Sequence, residues 1–194
     1  MSYFVMSLRG FITIACYASL ASACHSSRPP QSPPMPNSPN NAVFAHVPLY
    51  SNEPNACTPP EPDPRWHGVL IAAPSVVLIP AGNAALTAHI CGRYMIETTR
   101  LLAGKPMTLH AIDKASGASF QGDVFDEDPN PIAPNPNARL IDPASVANMS
   151  NGAALTRDLF QFVKLPRQAA TYEVYLSFGG YDSNRVVIEV RSPQ

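Results

Sequence analysis

Two segments near the C-terminus have apolar side chains at every second position. The apolar positions are Tyr172, Val174, Leu176 and Phe178 in the first segment and Val186, Ile188 and Val190 in the second. Because successive side chains of a strand point to opposite faces of a sheet, each segment predicts a strand with one buried face. Residues 179–184 between them are rich in turn-forming side chains, so the pair predicts an antiparallel hairpin.

Shorter apolar runs bounded by Gly, Pro and Asn predict further strands over 67–72, 75–79, 85–91, 93–97, 107–113, 119–125 and 159–165. Residues 114–117 read Lys-Ala-Ser-Gly, which predicts a hairpin loop with its glycine placed late. No window has the period of a long helix, and 123–151 is a Pro- and Asn-rich stretch expected to form a loop. The sequence therefore predicts an all-β fold, an antiparallel β-sandwich over residues 65–194.

The strand that begins near Tyr172 follows a bend at Leu165-Pro166. A tyrosine that opens a strand just after such a bend resembles the tyrosine corner of immunoglobulin-like sandwiches. The core tryptophan of antibody domains is missing, since the only tryptophan is Trp66. The resemblance implies an Ig-like sandwich in the broad sense, with Tyr172 buried and its hydroxyl bonded to backbone a few residues upstream.

A proline-rich segment precedes this domain. Residues 25–64 hold 12 of the 22 prolines and few large apolar side chains. Proline fixes φ and removes a backbone donor, so 24–64 is expected to be an extended tether without a fold of its own. The apolar patch at 42–50 is an exception, and it is expected either to pack on its own domain as an edge strand or to bind a partner.

The N-terminus predicts export. An apolar run of 13 residues over 11–23 follows a single basic residue, Arg9, and ends in Ala21-Ser22-Ala23-Cys24. A membrane-spanning helix needs about 20 residues, so the run fits a cleaved signal peptide over 1–23 better than a retained helix. Met1 and Met6 both remain possible starts.

The end of this segment resembles the lipobox of bacterial lipoproteins, where the cysteine after the cut is acylated. The resemblance implies that Cys24 becomes a lipidated N-terminus and anchors the protein to a membrane of the cell envelope. His25 follows it where an aspartate would signal inner-membrane retention, so resemblance to enterobacterial sorting implies the outer membrane. Ala21-Ser22-Ala23 is also an A-x-A cleavage site, so simple secretion is the alternative.

The other cysteines support this interpretation. Cys16 lies inside the signal, so acylation of Cys24 leaves Cys57 and Cys91. Export to an oxidising compartment favours pairing of these two, with a pair of buried thiols as the alternative. A free Cys24 would leave an odd count, which needs a separate explanation.

Few residues suggest chemistry. Asp126, Asp128 and Asn130 open a pattern typical of calcium loops, but Pro131 and Asn137 stand where an EF-hand needs Gly and Glu, so they are weak metal candidates. His67, His89 and His110 fall on predicted strands without the spacing of a metal motif. No G-x-S-x-G elbow is present. The sequence thus predicts no catalytic residues, no cofactor and no enzyme.

Residues 65–194 carry 11 basic and 11 acidic side chains without a basic run, which argues against nucleic-acid binding. We therefore expect a membrane-anchored lipoprotein that presents a non-catalytic sandwich to a protein partner, in envelope assembly or as an inhibitor. A metal- or ligand-binding protein and a small envelope hydrolase are the alternatives. Loops on a rigid scaffold often carry recognition. The candidate binding loop is Gly179, Gly180, Tyr181, Asp182, Ser183 and Asn184.

Overall fold

The computed structural model describes residues 41–124 and 141–193. The strands are β1 (Gly68–Ala72), β2 (Val76–Leu78), β3 (His89–Glu97), β4 (Met107–Asp113), β5 (Ser119–Val124), β6 (Ser150–Asp158), β7 (Ala170–Phe178), β8 (Tyr181–Asp182) and β9 (Val186–Arg191). The helices are single turns: α1 (Asn41–Phe44), α2 (Thr98–Leu101), α3 (Leu159–Phe162) and a 3-10 turn at Pro143–Val146.

The strands form two sheets, which confirms the predicted all-β sandwich. Sheet A has the order β1-β3-β6, and sheet B has the order β2-β9-β7-β4-β5 with β8 paired to β7. The ladders are antiparallel apart from the parallel pair β2–β9. The inner faces meet in one core that includes Val69, Ile71, Ile90 and Leu155 from sheet A and Leu109, Val174, Leu176 and Ile188 from sheet B.

The alternating C-terminal segments pair as predicted, with Tyr172 opposite Ile188 and Val174 opposite Val186 in the β7–β9 ladder. Tyr172, Val174 and Ile188 are fully buried. Burying each large apolar side chain of this kind is worth about 1.5–3 kcal/mol relative to exposure. This face of β7 and β9 therefore anchors sheet B to the core.

The predicted hydrogen bond of Tyr172 is wrong, although its predicted burial is confirmed. The side chain is 0 % exposed and its ring meets Phe120 edge-on at 6.3 Å. Its hydroxyl has no hydrogen-bond partner among the described residues, and burial raises the pKa of this phenol. The packing of the buried ring therefore stabilises this position, while the hydroxyl stays unpaired among the described residues.

Replacing Tyr172 with phenylalanine is therefore expected to leave the free energy of unfolding unchanged or raise it slightly. The change removes a buried hydroxyl that has no partner, and such a group costs about 1–3 kcal/mol to desolvate. Urea denaturation of both proteins measures the effect. If the variant instead lost about 1 kcal/mol or more of unfolding free energy, the hydroxyl of Tyr172 would have a hydrogen-bond partner, as in a tyrosine corner.

Two predictions between 141 and 165 are also wrong. Residues 159–165 were expected to form a strand, but α3 begins there, because the Asp158 carboxylate accepts the Phe160 N–H at 3.1 Å and so caps the helix. Residues 150–158 contain β6, of which the part up to 151 was assigned to a loop. This strand has few β-branched residues, and its pairing with β3 over nine positions overrides that weak propensity.

Part of the expected tether belongs to the folded unit. Phe44 and Cys57 are only 2 % and 1 % exposed, and they cluster with Val47, Ala72 and Cys91 on the outer face of sheet A. The patch at 42–50 thus packs on its own domain, as a helical turn and loop instead of an edge strand. Residues 24–40, the rest of the predicted tether, and the predicted signal over 1–23 lie outside the described residues.

Candidate functional site

The disulfide is the predicted feature that the structure places most clearly. Cys57 and Cys91 are bonded, with their Cα atoms 5.8 Å apart, and both are buried. The bridge fastens the segment over 41–64 to β3. Cys24 and the metal candidates Asp126, Asp128 and Asn130 lie outside the described residues, and their roles stay predictions.

The candidate binding loop packs closely on its own domain. Tyr181 is only 8 % exposed, donates its hydroxyl proton to Glu97 at 2.8 Å, and has the Arg100 guanidinium 4.6 Å from its ring centre. Burial and the hydrogen bond to Glu97 raise the pKa of this phenol. Gly179 and Gly180 have the positive φ expected of turn glycines. The ring of Tyr181 packs into the core at this tight turn, and binding by the loop stays a prediction.

The same loop closes one edge of sheet A. The side-chain amide of Asn184 accepts the Ile71 N–H at 2.8 Å and donates to the Ile71 carbonyl at 3.0 Å, as a neighbouring strand would. Ser183 supports this position, since its hydroxyl accepts the Leu176 N–H at 2.9 Å and donates to the Asn184 carbonyl at 2.7 Å. The backbone groups of β1 at Ile71 are therefore satisfied without a further strand.

The three strand histidines do not converge on one site. His67 lies just before β1 and contacts the Ser150 hydroxyl at 2.7 Å, whereas His89 opens β3 and His110 lies on β4. Burial lowers the pKa of His89, against the opposing charge of Asp158. Within 41–124 and 141–193, no three His, Cys, Asp or Glu side chains group together as a metal site would require.

A serine, a histidine and an aspartate do meet on the outer face of sheet B. The Ser177 hydroxyl lies 2.7 Å from Asp182 and 3.0 Å from Nε2 of His110. A carboxylate can only accept, so Ser177 donates its single proton to Asp182 and accepts the proton on Nε2 of His110. Burial lowers the pKa of His110, although Asp182 opposes the shift. In a catalytic triad the histidine stands between the serine and the acid, and here the serine occupies that middle position.

The other edge of sheet A, formed by β6, is closed only in part. Tyr50 donates its N–H to the Thr156 carbonyl at 2.8 Å, and Thr156 donates its N–H to the Ser51 carbonyl at 2.9 Å. Tyr50 has a φ of 63°. Two residues opposite one, with positive φ at the first, form a G1 type of β-bulge. These two backbone hydrogen bonds are the ones that the segment over 41–64 makes to this edge, and they end at Thr156.

The remainder of this edge is open as far as residues 41–124 and 141–193 are concerned. In the β3–β6 ladder the N–H and C=O groups of alternate residues point away from β3, and Thr156 sets the alternation. Toward the start of β6, the residues whose backbone groups point outward are Ala154, Gly152 and Ser150. Those of Gly152 and Ser150 have no hydrogen-bond partner within the described part of the chain, and both residues are exposed.

A cleft of about 320 Å³ adjoins this open edge on the outer face of sheet A. It is lined by Asn52, Pro54, Glu61, Trp66, Arg93, Tyr94, Met95, Gly152, Ala153 and Ala154. A side chain at Gly152 would collide with the Met95 methyl group and the Tyr94 carbonyl, so this glycine lets the neighbouring strand approach closely and leaves the floor of the cleft clear. Glu61 lies 3.0 Å from Arg93 and neutralises its charge, so the cleft is electrically balanced.

Sequence reasoning missed the cleft and the open edge. The position of the only tryptophan and the uncharged, small-residue run at 150–154 were the signals available. Among the helices of residues 41–124 and 141–193, none combines the length and apolar character needed to cross a bilayer. Compared with known proteins, the chain matches no protein-family model, no curated protein and no solved structure.

Proposed function

We propose that this protein is an exported lipoprotein, anchored through an acylated Cys24, whose sandwich recognises a protein partner without catalysis. The observation that carries the proposal is the open edge of β6 beside the cleft lined by Trp66. Exposed backbone donors and acceptors next to a pocket are the features that protein-recognition domains use to capture a chain. The setting is the cell envelope, at the outer membrane, in assembly or in inhibition of an exported effector.

The arrangement of Asp182, Ser177 and His110 supports recognition over hydrolysis. The serine proton is held by the carboxylate, so the imidazole is a donor to the serine and is not placed as its base. This chain of hydrogen bonds orders the outer face of sheet B. It also fixes Tyr175, whose ring stacks on His110 at 4.4 Å.

Site-specific photo-crosslinking in intact cells tests the proposal. A benzophenone side chain at Pro54, which is exposed and lines the cleft, is expected to form a discrete adduct with one envelope protein. The matched control is the same probe at Val187, which is 46 % exposed on the outer face of sheet B. Adducts of equal yield from both positions, or from Val187 alone, would refute recognition at the cleft.

A further inference from the structure

The edges of sheet A differ in how their backbone groups are satisfied. At β1 the amide of Asn184 occupies the place of a strand, and at Thr156 the bulge formed by Tyr50 and Ser51 does so. Neither a side-chain amide nor a bulge of this kind pairs with the outward backbone groups of Ser150 and Gly152 within the described residues. Their outward groups are about 7 Å apart, which is the two-residue repeat of a strand.

The open part of β6 also lacks the features by which natural proteins protect an exposed edge. Such edges usually carry lysine, proline or an inward-pointing charge, which discourage pairing with another chain. Residues 150–154 read Ser-Asn-Gly-Ala-Ala, with no charge and no proline. Their small side chains allow close approach of a second backbone.

We infer that β6 receives an extended, uncharged segment of the protein partner as an added strand, paired to Ser150 and Gly152. This inference rests on the proposed function and names the chemistry of its partner. The added strand continues the edge on which Tyr50 and Ser51 already pair with Thr156. The recognised chemistry is a peptide backbone, in the manner of β-augmentation.

The cleft defines which side chain such a segment carries. Gly152 pairs with Met95, so the residue of the added strand that lies opposite Gly152 points toward the outer face of sheet A and into the cleft. Trp66 and Met95 offer it an apolar surface, and the Arg93–Glu61 pair leaves no net charge to attract an ion. The position therefore takes an apolar residue, and proline is excluded where the segment must donate to the edge.

A peptide selection on the full-length protein, purified in detergent, tests this inference. The probe is a phage-displayed library of random dodecapeptides, followed by synthetic copies of the enriched sequences. We expect the enriched peptides to share an uncharged, extended stretch with an apolar side chain at the position that would lie opposite Gly152. Methylation of the two peptide nitrogens that face β6 should weaken binding by at least about tenfold, because two hydrogen bonds are lost, whereas methylation of the nitrogens between them should have little effect.

Two protein variants provide the matched comparison. Ser150→Pro removes one outward N–H from an edge position, where proline is tolerated, and Ser150→Ala keeps it. Binding should fall by about tenfold or more in the first variant only, with thermal melting as the check on folding. If Ser150→Pro fails to fold, the methylated peptides decide the outcome alone.

The outcomes separate this inference from the function on which it rests. An empty selection, or binding that is insensitive to the methylated nitrogens, overturns strand addition. If the crosslink at Pro54 persists in that case, the partner binds the cleft by side chains alone and the recognition function stands. Loss of the crosslink as well would refute both strand addition at β6 and recognition at the cleft.

Discussion

Replacing both Cys57 and Cys91 with alanine is expected to lower the free energy of unfolding by roughly 4 kcal/mol. The bridge spans 34 positions, and the unfolded chain gains the entropy of that loop when the bridge is absent. The disulfide also fastens to β3 the segment over 41–64, which contributes Asn52, Pro54 and Glu61 to the cleft. Urea denaturation measures the difference, provided that the unfolding free energies of both proteins fall with urea concentration at the same slope.

The wild-type protein denatured with a strong reductant is the control, because it loses the bridge without a change of sequence. It should match the double variant to within about 1 kcal/mol, the remaining difference reflecting the two exchanged side chains. Equal stability of the oxidised protein, the reduced protein and the variant would show that the bridge does not constrain the unfolded chain.

Changing Cys24 to alanine is expected to move the protein completely from the membrane fraction to the soluble fraction. The lipobox-like ending predicts that this thiol carries the acyl chains, and alanine has no group to acylate. Fractionation of cells with metabolic fatty-acid labelling follows both properties together. The wild type should be labelled and sedimentable, and the variant should be neither.

Cys16→Ala is the matched control, since it removes a thiol from the predicted signal and leaves Cys24 in place. It should behave as the wild type. A wild-type protein that is soluble and unlabelled would establish simple secretion, which the Ala21-Ser22-Ala23 site also allows.

The parts of the fold that the sequence predicts well are those governed by local periodicity. The alternation of Tyr172, Val174 and Leu176 specifies both the strand and its buried face, because the side-chain period of a strand is two. The hairpin between β4 and β5 is likewise local, with Gly117 at a φ of 73°. The disulfide followed from counting cysteines in a chain that the sequence predicts to be exported.

The candidate site depends on contacts far apart in sequence, which periodicity does not contain. Asn184 closes the edge at Ile71 across 113 positions, and Tyr50 reaches β6 over more than a hundred. Trp66 lines the cleft because Gly68, with a φ of 147°, leaves room for its ring. Each contact satisfies a polar group or fills a space that exists only after the sheets have paired.

Amide hydrogen exchange of the free full-length protein, followed residue by residue, tests the open edge of β6 most directly. The amides of Ser150 and Gly152 should exchange rapidly, while those of Thr156, bonded to Ser51, and Ile71, bonded to Asn184, should exchange at least about a hundredfold more slowly. Such a pattern leaves one short stretch of sheet A ready to accept a strand. Protection of Ser150 and Gly152 equal to that of Ile71 would mean that this edge is already closed, and would contradict strand addition at β6.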